Sequence, residues 1–326
     1  ATYKGIQGYS VPKLTSDPSP TASVEGQLWY NSSSGKFKIA TAGAGAWASI
    51  PSLSTARQFV GGAGTYNAGM VAGGETTVSQ KIVEEYNGTS WSEVSDLLLA
   101  RYQPRGFGDS TEACYMVGGA PATSNMESFN GTSWTETTNI PTATNNGIAV
   151  GISTAGLYAY GYASGYVNET YEWNGSVWTD GGDANTGRLA NSSTGTQTAA
   201  LSFGGVNPAV APTSPSMTES YNGSSWSVEN TLNTGRKGLG GSTFGRVNTS
   251  ALAFGGELNP PLAPSVLTEK WDGTSWTEVG DLSVSNVYGA GLGTVNNAIS
   301  AAGQGLIATA EEWSDPVYTI KTVTVS

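Results

Sequence analysis

Two residue types recur at fixed places in this chain and could do chemistry. Arginine stands at Arg57, Arg101, Arg188 and Arg236, each ten positions after a tryptophan, and the same place in two further copies holds Thr144 and Asn286. Glutamate stands at Glu84, Glu127, Glu219, Glu269 and Glu311, with Tyr171 in the matching place of the remaining copy. Carboxylate pairs could serve a glycosidase as acid and nucleophile or base, and arginines could hold an anionic substrate. Because both marks recur in most copies, they form series rather than one special cluster. Ion pairing and hydrogen bonding within and between repeats is therefore the simpler reading, and no catalytic residue is assigned.

Other chemistries are missing at the level of composition. The chain has no histidine, which removes Ser-His and Cys-His catalysis and imidazole metal sites. No metal or cofactor is expected. The single cysteine, Cys114, lies in the strand-like run Ala113-Cys114-Tyr115-Met116-Val117 and reads as a small buried hydrophobe. The net charge of −11 argues against nucleic acid or an anionic membrane as partner. No apolar run is long enough to span a bilayer, so no membrane insertion is expected.

The elements that would position these residues come from one repeating stretch. It reads Tyr86-Asn87-Gly88-Thr89-Ser90-Trp91, and returns from Phe129 to Trp134, Trp173 to Trp178, Tyr221 to Trp226 and Trp271 to Trp276, with a decayed copy at Trp313. The leading aromatics are 43, 44, 48, 50 and 42 residues apart, a period that means a repeat architecture. Asn-Gly or Asp-Gly between strand-like runs predicts a hairpin with both turn residues tolerating positive φ. Trp47 extends the series backwards, so the tryptophans are Trp47, Trp91, Trp134, Trp178, Trp226 and Trp276. Before each aromatic a small or apolar run ends in paired glycines: Gly73-Gly74, Gly118-Gly119, Gly204-Gly205 and Gly255-Gly256, with degenerate versions at Tyr160-Gly161 and Ala302-Gly303. Paired glycines predict close backbone approach or positive φ. With 45 glycines, 12% charged residues and no helical period, the chain reads as turn-rich and all-β.

Each period thus holds four short strands, which describes a blade of a β-propeller. Six glycine-pair strands and six aromatic strands lie after residue 51, but only five tryptophan strands do. The strand at Trp47 is therefore expected to complete the blade formed by residues 286–313 and close a six-bladed ring. The expected division is an extended docking arm at 1–27, a β-hairpin at 28–46, the propeller at 47–313 and a terminal strand at 314–326. Residues 1–7 lack the pattern of a cleavable secretion signal.

Strand alternation puts all the Asn-Gly turns on one face and the loops after the glycine pairs on the other. The two longest of these loops are adjacent and rich in proline, which stiffens a loop for recognition. They place Asn207, Pro208, Pro212, Asn259, Pro260 and Pro261 as candidate ligand-binding residues.

The glycine pair, aromatic and tryptophan in four-stranded units of this length resemble the kelch repeat family of β-propellers, over about residues 47–313. The five-residue step from aromatic to tryptophan is shorter than the usual kelch interval, so the likeness is kelch-like. The copper site known on some kelch propellers needs histidines that are absent. Glu25-Gly26-Gln27-Leu28-Trp29-Tyr30-Asn31-Ser32-Ser33-Ser34-Gly35-Lys36-Phe37-Lys38 and Ile320-Lys321-Thr322-Val323-Thr324-Val325-Ser326 resemble segments of tailed-bacteriophage virion proteins. That likeness implies a non-enzymatic structural or recognition protein of a virion, such as a tail-fibre, tail-tip or capsid-surface component, assembled in the bacterial cytoplasm. Its implied partners are other virion proteins, further copies of itself as a homo-oligomer, and a host-surface glycan or receptor. A glycosidase-like enzyme and a bacterial surface adhesin are the alternatives.

Overall fold

The computed structural model describes residues 11–43, 45–210, 214–258, 262–315 and 318–324. The protein is all-β, with helix among the described residues limited to three-residue 3-10 turns at Ala22–Val24, Pro208–Val210 and Ser214–Ser216. The chain divides into two units, residues 46–314 and a smaller unit built from residues 1–45 and 315–326.

In the larger unit the described residues form six four-stranded antiparallel sheets, in chain order. Sheet one is Gly61–Thr65, Ala68–Ala72, Val83–Tyr86 and Trp91–Glu93. Sheet two runs from Arg105–Ser110 to Trp134–Glu136, sheet three from Ile148–Ile152 to Trp178–Asp180 and sheet four from Leu189–Thr196 to Trp226–Glu229. Sheet five runs from Gly240–Gly241 to Trp276–Glu278. Sheet six has Ala290–Gly293, Asn297–Gly303 and Ile307–Ser314, and its fourth strand is Ala46–Ile50. That last pairing sets Trp47 opposite Trp313. Repeated four-stranded antiparallel sheets of this kind are consistent with a β-propeller.

The turn that repeats in sequence differs from the expected one in a specific way. It is a four-residue loop: Tyr86 pairs with Trp91 across it, and Asn87 N–H donates to the Ser90 carbonyl at 3.2 Å. Only Gly88 has positive φ, at 88°. Asn87 stays outside that region because its Oδ1 has another task, accepting the Thr89 and Ser90 N–H groups at 2.9 Å each. Asn130, Asn174, Asn222 and Asp272 cap their own loops in the same way. The side chain thus satisfies backbone donors that the strands cannot reach.

Glycine pairs are required where one sheet meets the next repeat. Gly74 N–H donates to the Arg101 carbonyl at 2.9 Å, and a Cβ on Gly73 would lie 2.6 Å from that same oxygen. Equivalent bonds run from Gly119 to Thr144, Gly161 to Arg188 and Gly256 to Asn286, and from Gly303 in sheet six to Arg57 ahead of sheet one. Both residues of every pair have positive φ, including Tyr160 at 64° and Ala302 at 60°, where the sequence has lost a glycine.

The core lies between the sheets. Six clusters of buried apolar side chains each bridge two sheets, one to two, two to three, and so on; the cluster holding Val71, Tyr86, Leu292 and Ile299 bridges one and six. Each sheet carries an aromatic pair with centroids 5.0–5.7 Å apart. Indole N–H groups then tie five of the six sheets to their predecessors, Trp134 to Ser95, Trp178 to Thr138, Trp226 to Thr170, Trp276 to Thr218 and Trp47 to Thr268, while Trp91 Nε1 of sheet one has no partner among the described residues. Such buried indoles combine large apolar area with one directional bond.

In the smaller unit, Leu28–Asn31 and Lys36–Ala42 form the expected antiparallel hairpin. Lys13–Leu14 adds to it in parallel and Tyr318–Thr322 adds antiparallel on the other side. Asp17 clasps this sheet, accepting from Asn31 Nδ2 at 2.6 Å and from Trp29 Nε1 at 2.9 Å. These bonds hold its carboxyl below the ordinary 3.8. A depressed carboxylate contributes stability above its unfolded pKa and loses it as the pH falls through the folded value. The Trp29 indole N–H resonance is therefore expected to stay constant down to about pH 4 and to shift below it. A resonance unmoved in acid, or one that moves equally in Asp17→Asn, would contradict the clasp.

Candidate functional site

The repeated arginines and glutamates meet inside the sheets. Arg57 pairs with Glu84, Arg101 with Glu127 at 3.1 Å, Arg188 with Glu219 at 3.1 Å and Arg236 with Glu269 at 2.9 Å. Their side chains are at most 2% exposed. Burial lowers the pKa of Arg57, Arg101 and Arg236, and the paired glutamates oppose that shift. Each glutamate also caps the connection arriving from the previous sheet. Glu84 accepts from the N–H groups of Ser54 and Thr55, Glu127 from Leu98 and Leu99, Glu269 from Asn233 and Thr234, and Glu311 from Ser283 and Val284. These carboxylates are engaged as fasteners between repeats, with little left to offer a substrate.

Where the pair is lost, hydroxyls replace it. Thr142 Oγ1 meets the Tyr171 phenol at 2.7 Å, and that phenol donates to Glu169 at 2.6 Å. Burial and the adjacent carboxylate push the Tyr171 phenol up to about 12. That favours the neutral phenol rather than an activated nucleophile.

The part of the larger unit that departs most from its repeats is the face where the connections and post-glycine loops emerge. Two residues after each arginine position stand Phe59, Gln103, Asn146, Ala190, Gly238 and Tyr288, and all six have φ between 56° and 60°. They are linked by backbone bonds: Gln103 N–H to Phe59 O, Phe59 to Tyr288, Tyr288 to Gly238, Gly238 to Ala190 and Ala190 to Asn146, at 2.6–3.1 Å. Holding non-glycine residues there costs roughly 1–3 kcal/mol each, and this girdle of bonds offsets it. Between Gln103 and Asn146 the span is made by a side chain instead. Arg105 Nε donates to the Gly147 carbonyl and Nη2 to Asn146 Oδ1, both at 2.6 Å.

Inside the girdle is a cavity of about 40 Å³ to which all six sheets contribute, through Gly62, Arg105, Ile148, Ser192, Gly240 and Gly291 among others. It has room for about three waters by the usual measure, so no sugar ring enters it. Among the described residues, Arg105 is the one charged residue that lines the cavity, and it has no carboxylate partner among the described side chains. Around the girdle stand Phe59, 4.7 Å from Tyr288 and 5.9 Å from Tyr102 between ring centroids, the exposed pair Tyr162 and Tyr166 at 5.6 Å, and the ion pair Lys237–Glu257 at 2.9 Å.

Of the loop residues singled out in sequence, Asn207 organises its own loop. Its Nδ2 donates to the Gly187 carbonyl and its Oδ1 accepts from Ala209 N–H at 3.0 Å. Pro208 is exposed at the start of a 3-10 turn. Pro212, Asn259, Pro260 and Pro261 lie outside the described residues. Around the last three, Glu257–Leu258 pairs with Arg236–Lys237 and with Ala263–Pro264 in a small extra sheet. The sequence reading missed Arg105 and the girdle. Aligning the repeats by their arginine singles out Arg105, which stands where the other copies have Gly61, Ile148, Ser192, Gly240 and Ala290, but gives no sign of the girdle, whose six positions hold six different residue types.

No family model matches the chain, and no curated protein resembles it at a significant level, so its fold and site are read from its own residues alone.

Proposed function

We propose that residues 46–314 are a closed, six-bladed, kelch-like β-propeller acting as a non-enzymatic recognition module that binds a glycan on its loop face. The six sheets, the apolar cluster joining sheets one and six, and the girdle of backbone bonds support closure. The observation that carries the recognition reading is the contrast between the two faces. The turn face repeats one capped loop, whereas the loop face gathers Phe59, Tyr102, Tyr288, Tyr162 and Tyr166 beside Arg105 and Lys237–Glu257. Aromatic rings beside convergent polar groups are the usual dress of a saccharide-sized surface site. Placement in a phage virion rests on the likeness of residues 25–38 and 320–326 to virion proteins. The smaller unit would be the attachment piece, exposing Leu14, Leu28, Phe37 and Val323 on its sheet.

The test is a glycan array probed with the whole chain and two variants. Tyr162→Ala with Tyr166→Ala, on the loop face, is expected to weaken the best signal by about tenfold or more. Val177→Ser, in a turn on the opposite face, should leave it unchanged. Silence across the array, or loss only in the turn-face variant, would overturn the reading.

A further inference from the structure

We propose that Arg105 is the anchor of an anion site at the girdle, and that its ligand is the carboxylate of an acidic sugar. The proposal rests on the glycan reading of the loop face and names the class of sugar.

The four other buried arginines of the larger unit each have a glutamate within 3.1 Å. Arg105 is half-buried in a chain of net charge −11, yet among the described side chains and backbone it bonds only to neutral groups, the Gly147 carbonyl and the Asn146 amide. A desolvated guanidinium without a counter-charge is costly, so the site is built to receive one. Nη1 bonds to none of the described groups, which leaves its donors for a ligand. Further residues with polar side chains line the same cavity, Asn191, Ser192 and Ser193 among them. Asn191 is 2% exposed, and its Oδ1 has no partner among the described residues.

Size selects the ligand group. A cavity of about 40 Å³ admits a carboxylate but excludes a pyranose ring. The ring would rest outside, against Phe59 and Tyr288. Burial raises the Tyr288 phenol, and the charge of Arg105 opposes this, which places the two within electrostatic reach. The sugar then bridges a charged anchor and an aromatic wall, giving two independent sources of selectivity.

The experiment is calorimetric titration of the full chain with sodium glucuronate and with glucose, in chloride-free buffer. Glucuronate should bind and glucose should bind at least about tenfold more weakly, the loss of one charge-assisted bidentate contact. Arg105→Gln should abolish the difference, and Arg105→Lys should restore part of it. Because Arg105 also spans the girdle, the variants' melting temperatures are measured alongside. If Arg105→Gln does not fold, acetate competing with glucuronate on the unaltered chain supports the same site. Equal binding of the two sugars, or glucuronate affinity unchanged in a folded Arg105→Gln, overturns the proposal. Neutral glycans that still bind the loop face in that variant would leave the recognition reading standing, whereas loss of every glycan would remove both.

Discussion

Replacing Glu84 with alanine is expected to destabilise the protein by about 3–5 kcal/mol, the cost of leaving a buried charge without its partner. Arg57 is fully buried, and it also donates Nε to the Gly73 carbonyl at 2.9 Å and Nη2 to the Val71 carbonyl at 3.1 Å. Those bonds fix the guanidinium inside sheet one, so it cannot swing out to water when the carboxylate goes. The Ser54 and Thr55 N–H groups lose their acceptor in the same step. The double variant Arg57→Met with Glu84→Leu should recover much of the loss, since an apolar pair of similar volume needs no desolvation of charge. Denaturant midpoints for the two single variants and the double variant complete the cycle. A Glu84→Ala midpoint within about 0.5 kcal/mol of the parent, as for an ordinary surface substitution, would show that the pair is peripheral.

The second large effect concerns the strand Ala46–Ile50. A chain beginning at residue 46 and one beginning at residue 51 differ only by this strand. Without it, Ile307–Ser314 loses its neighbour along five residue pairs and becomes an open edge. Trp47 also stops packing on Phe254 at 4.8 Å and Trp313 at 5.7 Å, and its indole bond to Thr268 at 3.0 Å disappears. Removing a large aromatic from such a site costs about 3–5 kcal/mol by itself. The exposed edge then invites pairing with another chain. The shorter chain should melt at least about 10 °C lower, since 1 kcal/mol is worth about 2–4 °C in a domain of this size, and it should sediment as a mixture of associated species. Equal melting and equal sedimentation of the two chains would remove the closing role given to this strand.

Much of the larger unit was legible because its information is local and copied. An Asn-Gly or Asp-Gly loop before a tryptophan needs only neighbouring residues to form, and the five complete copies report one another's register. Paired glycines announced crowded backbone, and the carbonyls of Arg101, Thr144, Arg236 and Asn286 supply the crowding, 2.3–2.8 Å from where a Cβ would stand on Gly73, Gly118, Gly204 and Gly255. The arginine and glutamate series announced pairing, since an arginine ten residues after a tryptophan and a glutamate two residues before the next aromatic fall in the same place of four sheets. The smaller unit was less legible. Lys13–Leu14 pairs in parallel, and Lys36–Ala42 meets Tyr318–Thr322 across almost the whole chain. Nothing in a short run of sequence specifies a partner that distant.

The sequence by itself determined the period, the order of strands and turns and the residues that fasten one repeat to the next, because each follows from backbone sterics and hydrogen bonding within about fifty residues, whereas the asparagine cap of the four-residue loop emerged from the structure. Only the tertiary structure decided which single residues break the symmetry usefully. Phe59 and Tyr288 take a left-handed backbone because carbonyls of other repeats hold their N–H groups there, and among the described groups the acceptors brought to Arg105 are the neutral Gly147 carbonyl and Asn146 amide. Both depend on what distant segments place around a residue, and that environment exists only once the sheets have assembled.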